Sequence, residues 1–112
     1  MNQQIQIRSS IGNMKYIITE SKIDMLMTHY LNSWVDSRKI IEFDRFIVLE
    51  NPNGEENNEV EMEYDGEDGR LWFLKDFRKT LMDLFGKSHV ETSVFVGKFF
   101  EDKFGVEVKK VE

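Results

Sequence analysis

The chain has 112 residues, 40% of them hydrophobic and 12% aromatic, which is enough apolar material for one core and too little length for two domains of ordinary size. With no cysteine and two histidines, disulfides, thiolate chemistry, zinc ribbons and a histidine-built metal site are excluded. The balance of 15 Lys and Arg against 21 Asp and Glu, net −6, has the wrong sign for a protein that holds nucleic acid over its whole surface.

No stretch approaches the run of about 20 apolar residues that crosses a bilayer; the densest patches, Phe46 to Leu49 and Leu71 to Leu74, are strand-sized. The first thirteen residues have Arg8 as their only charged side chain and lack the apolar centre of a secretion signal. An intracellular site, or a place inside an assembled particle, is therefore expected. Met14 begins Met-Lys-Tyr-Ile-Ile-Thr-Glu-Ser, which reads as the natural opening of a small protein. Residues 1–13 are accordingly expected to be a flexible or extension segment, with a mis-called start or a frayed strand as the alternatives, and 14–112 a single α+β domain.

Met14 to Ile18 is short and β-prone, after which Thr19 or Ser21 can cap a helix by accepting from its first N–H groups. Ile23, Leu26, Met27, Tyr30, Leu31 and Trp34 then recur at the spacing that lines one helical face. A charged connector follows at Asp36 to Lys39. Arg45 to Glu50 is a compact β-rich run closed by the turn residues Asn51-Pro52-Asn53-Gly54. Glu59 to Asp65 alternates without a break, with Val60, Met62 and Tyr64 on one side and Glu59, Glu61, Glu63 and Asp65 on the other. This is the clearest strand pattern in the chain.

A second turn, Asp65 to Gly69, leads into Arg70 to Leu74. Leu71, Leu74, Phe77, Leu81, Leu84 and Phe85 also fit helical spacing, so this run reads either as a third strand or as the front of a longer helix; Trp72-Phe73 and the turn before it favour the strand. Asp76 can cap a second helix that ends at Phe85, with Phe77, Leu81, Leu84 and Phe85 inward and Gly86 as its left-handed stop. Ser88-His89-Val90-Glu91 is a capping box for a third helix, which buries Phe95, Val96, Phe99 and Phe100 and stops at Gly105. Val106 to Val111 alternates again, which allows a last edge strand. The predicted fold is α+β: an N-terminal helix, a three-stranded antiparallel meander and a C-terminal helical hairpin, the helices covering one sheet face.

Charge is unevenly spread. Between Glu42 and Asp68 eleven acids stand against Arg45 alone, a local net of −10, and the remainder sums to +4. An outward strand face carrying Glu59, Glu61, Glu63 and Asp65 is both a solvated face and a candidate partner-binding surface for a basic protein. Lys75, Arg78 and Lys79 share one side of the second helix, with Lys87 nearby; these four are the candidate nucleic-acid contacts of an alternative reading. Asp65, Glu67 and Asp68 lack calcium-loop spacing, and the carboxylates of an outward strand do not form a glycosidase pair. His29 and His89 have no companion at ligand spacing, and no phosphate-loop or nucleophile-elbow motif accompanies them. No catalytic residue, metal site or cofactor is therefore expected, and a small hydrolase or transferase would require a pocket placing a histidine beside several carboxylates. Trp34 and Trp72 are either core or partner anchors.

The opening from Met14 to Ser21 resembles the start of small bacteriophage-encoded proteins. The order from Leu71 to Val106 (Leu-Trp-Phe, a helix ending Leu84-Phe85, a capped helix ending Phe99-Phe100) is similar to the tail of the same group. The likeness covers about half the chain and includes no catalytic motif. It implies a phage origin, in host cytoplasm or virion, and no activity or functional residue. The expected role is that of a non-enzymatic accessory protein acting through a protein partner, as a particle component or a modulator of host machinery, with self-association open to it.

Overall fold

The structure is a computed structural model describing residues 4–8, 15–52 and 59–112. In chain order the elements are β1 (Gln4–Arg8), β2 (Lys15–Thr19), α1 (Glu20–Asp36), β3 (Lys39–Phe43), β4 (Phe46–Glu50), β5 (Val60–Asp65), β6 (Arg70–Phe73), α2 (Lys75–Phe85), α3 (His89–Phe104) and β7 (Lys110–Val111). β1 and β2 form an antiparallel ladder of their own, Gln4 opposite Thr19 and Arg8 opposite Lys15. Within the segment expected as an extension, Gln4 to Arg8 is thus a strand. Residues 1–3 and 9–14, Met14 among them, lie outside the described residues.

Thr19 caps α1, its hydroxyl oxygen accepting from the Lys22 N–H at 3.4 Å. The helix buries Ile23, Met27, Leu31 and Val35 and leaves Leu26 44% exposed, a correction to the predicted stripe. At about 100° per residue, the row from 23 to 35 sweeps about 120° of arc, and Leu26 falls about 120° from its centre. Tyr30 and Trp34 fall nearer and are half-buried. The expected connector contracts to Ser37 and Arg38, because Lys39 already begins β3, a strand that was not predicted. Asp44 turns the chain into β4 at φ 52, a left-handed conformation that aspartate tolerates better than most residues.

Five strands form one sheet in the order β3-β4-β5-β6-β7. The predicted meander of β4, β5 and β6 is its antiparallel centre, extended by β3 on one edge and by β7 on the other. β7 runs parallel to β6, Leu71 opposite Val111. A parallel neighbour requires a crossover, and α2 and α3 are that crossover. The run at Arg70 to Phe73 is a strand, as favoured, and α2 begins only at Lys75.

Met62, Tyr64, Ile47, Leu49, Leu71 and Phe73 fill the inward face, and all three helices close over it with Met27, Leu31 and Val35, Phe77 and Leu81, and Val96, Phe99 and Phe100. The expected inward group of β5 holds for Met62 and Tyr64, 1% and 6% exposed, while Val60 is half-buried. Leu84, expected inward, is 54% exposed. Gly97 lets α3 approach β7 closely: a Cβ there would stand 3.1 Å from Val111 Cγ2. Tyr64 ties down the C-terminal segment, its hydroxyl donating to the Glu107 carbonyl at 2.7 Å.

Gly86 and Gly105 end α2 and α3 in the left-handed conformation at φ 65 and 67. The α3 capping box is complete: the Glu91 N–H donates to Ser88 Oγ at 3.1 Å and the Ser88 N–H to Glu91 Oε1 at 3.0 Å. Ser88→Ala is expected to lower the unfolding free energy by about 1 kcal/mol. The Ser88 backbone N–H, and after it the Ser88 side chain, hold the Glu91 carboxyl below its ordinary pKa. A group depressed in the folded state stabilises above its unfolded pKa, and the contribution disappears as pH falls through the folded value. In urea unfolding, the stability advantage of the wild type over Glu91→Gln is therefore expected to shrink as the solution is acidified through that window.

Candidate functional site

The face of the sheet opposite the helices is assembled by strand register. Ile41, Val48, Glu63 and Trp72 stand side by side across β3 to β6. In the next row are Phe43, Phe46, Asp65, Arg70 and Lys110. None of these residues belongs to the core that the helices cover. Val48 is nevertheless only 8% exposed, whereas Phe43 at the sheet edge is 57% exposed. The Phe43 and Phe46 rings lie 5.5 Å apart, and the Arg45 guanidinium sits 4.8 Å above Phe46.

The four acids of the predicted partner surface occupy different environments. Glu63 is exposed between Val48 and Trp72 and forms no ion pair among the described residues. Glu59 is exposed just before β5. Glu61 is enclosed: its Oε1 stands 2.7 Å from Arg38 Nε, with both side chains less than one-fifth exposed. The contact is an ion pair without hydrogen-bond alignment. A register shift accompanies it, since Leu49 faces Met62 and Glu50 faces Val60, leaving Glu61 without a partner on β4 while its carbonyl accepts from the Leu74 N–H at 3.1 Å. Asp65 is held by Arg45 Nε at 3.0 Å, and the same guanidinium reaches Glu67 at 3.2 Å.

This surface is therefore a mixed one, in which arginines neutralise several carboxylates and apolar side chains surround an exposed glutamate. The missing apolar part had a signal in the sequence. Phe46-Ile47-Val48-Leu49 is apolar at every position, which means that both faces of β4 carry apolar groups. Trp72 stands half-buried on the open face, while Trp34 stacks on Phe77 at 4.3 Å on the helical side.

The four cations of the alternative reading do not share an exposed face. Lys75 and Lys79 are exposed on α2. Arg78 is only 7% exposed and lies with its guanidinium 4.4 Å from the Phe73 ring centroid. The Lys87 side chain is 7% exposed and spans Asp24 at 3.1 Å and Glu20 at 3.9 Å, joining α1 to the α2–α3 connection. His29 and His89 are both exposed. His89 lines a groove of about 570 Å³ between α3 and β7, whose carboxylate, Glu101, already accepts from the Val108 N–H. Among the described residues no cluster of three potential metal ligands occurs, and no helix is long and apolar enough to cross a membrane.

The two central glutamates give opposite expectations. Glu63→Gln should change stability by less than about 0.5 kcal/mol, as an exposed substitution. Glu61→Gln should cost about 1–3 kcal/mol, because it leaves the Arg38 charge enclosed without its counterion. Chemical denaturation of the two variants measures the difference. Comparison of the chain with family models, with curated proteins and with solved structures finds no match.

Proposed function

We propose that the protein is a non-enzymatic accessory protein that works by binding another protein, with the open sheet face as the binding surface. The observation that carries this reading is the row Ile41, Val48, Glu63 and Trp72, uncovered by any of the three helices. Tryptophan and phenylalanine at a surface are the side chains most able to anchor a partner, and a charge beside them sets its orientation. The matching partner presents an apolar patch with a lysine or arginine at its centre, the cation meeting Glu63 between Val48 and Trp72. This agrees with the bacteriophage resemblance, which implies a particle component or a modulator of host machinery.

The nucleic-acid alternative has weaker support, because Lys87 is committed to Asp24 and Glu20 and Arg78 is enclosed. Only Lys75 and Lys79 of the four remain exposed, too few for strong phosphate-backbone binding.

The test is affinity capture from lysate, compared across wild type, Glu63→Lys and Trp72→Ala. The reading expects one set of proteins to be retained by the wild type, lost from both variants and released by raised salt. Capture unchanged by both substitutions would discard the open face as the binding surface.

A further inference from the structure

β7 is the last strand of its sheet, with β6 on one side and no described strand on the other. The Lys110 N–H donates to the Gly69 carbonyl at 3.2 Å and the Glu112 N–H to the Leu71 carbonyl at 2.8 Å. Backbone groups alternate in direction along an extended strand, so the Val111 N–H and carbonyl, between these two, turn to the open edge. The Val111 side chain instead packs against Gly97 of α3.

The groove of about 570 Å³ between α3 and β7 adjoins that edge. Val108 and Val111 line it from the strand, and Val90, Val94 and Gly97 from the helix. Thr92, Val96, Phe99 and Phe100 are the buried residues around them on α3, which at about 100° per residue leaves Val90 and Val94 on a flank turned away from the core. These two valines, one turn apart, are 68% and 64% exposed. The groove follows α3 from His89 to Glu101, a rise of about 18 Å, which is the length of a strand of about five or six residues. An unpaired strand edge beside an apolar helix flank is the geometry that takes up an extended peptide as one more strand.

Charge decides which peptide. Lys98, Lys109 and Lys110 line the groove against a single carboxylate, Glu101, and that carboxylate already accepts from the Val108 N–H at 2.8 Å. Lys110 reaches Glu112 at 3.3 Å. Lys98 and Lys109 are exposed and form no ion pair among the described residues. A second copy of the chain, joined edge to edge, would set these lysines against their own kind. A nucleic acid would match the lysines but bring no strand to the Val111 edge.

We propose that the groove between α3 and β7 docks an extended acidic segment of a partner protein, which pairs with the Val111 edge, seats apolar side chains on Val90 and Val94, and sets carboxylates against Lys98 and Lys109. The groove shares no residue with the row of Ile41, Val48, Glu63 and Trp72, so the result here and the result for the open sheet face are independent.

The experiment is titration of the ¹⁵N-labelled full chain with the capped hexapeptide Val-Glu-Val-Glu-Val-Glu, with its Val-Lys-Val-Lys-Val-Lys counterpart, and with the acidic peptide N-methylated along its backbone. The expected result is a saturable shift of the Val94, Gly97 and Val111 amide signals by the acidic peptide alone, with slower hydrogen exchange at the Val111 N–H. Lys98→Glu combined with Lys109→Glu, both at exposed positions, is expected to weaken binding about tenfold. Four results would overturn the proposal: no saturable shift at millimolar peptide, equal binding of the lysine or the N-methylated peptide, unchanged affinity in the double variant, or stronger shifts of the same signals by a single-stranded oligonucleotide. Shifts of these signals on concentrating the protein without peptide would assign the edge to a second copy and overturn it as well.

Discussion

Alternation along β5 governs this molecule. Met62 and Tyr64 point to the helices, and their cross-strand neighbours Leu49, Ile47, Phe73 and Leu71 complete two apolar rows beneath them. Because side-chain direction repeats every second residue, a slip of one position would place these rows in water. Tyr64 carries more than its share of area. Its ring packs 5.4 Å from Phe100, and its hydroxyl reaches beyond the sheet to the Glu107 carbonyl. Burial, reinforced by Glu107 and the nearby acids, raises its pKa and keeps the donor protonated.

All the helices lie on one side of the sheet, so the other side has to satisfy its charged groups without them. It does so by pairing. Arg45 spans Asp65 and Glu67, Arg70 stands between Asp68 and Glu112, and Lys110 also reaches Glu112. These mostly exposed pairs add little stability. Their effect is to disperse charge around a short apolar row instead of leaving a uniformly acidic plane. An exposed carboxylate with apolar flanks is a more selective recognition feature than a diffuse negative field, since a partner has to match shape and charge together.

The readable parts of the fold were those decided by local chemistry. Thr19, Ser88 with Glu91, Gly86 and Gly105 mark helix ends through bonds made within a few residues, and each acts where its type predicts. The alternation of β5 was readable because its charges and apolar groups are strictly separated. The unreadable parts depend on distant neighbours. Lys39 to Phe43 has two charges in five residues and becomes a strand because β4 lies beside it. Asp76 does not cap α2, since the helix starts before it at Lys75. Arg78 looks like a surface cation until Phe73 and the core enclose it. The apolar half of the candidate surface comes from β3, β4 and β6, and no single segment displays it.

β7 adds a consequence for motion. It is two residues long, and its attachment consists of the Lys109 and Lys110 N–H groups on the Gly69 carbonyl, the Glu112 N–H on the Leu71 carbonyl, and Val111 seated against Gly97. So small a ladder can come away while β3 to β6 stay paired, which makes the C-terminal strand the natural unit of sub-global opening and of early hydrogen exchange. The Tyr64 hydroxyl is the latch on the approach to that strand, joining the inside of the sheet to the segment that leads into its last edge.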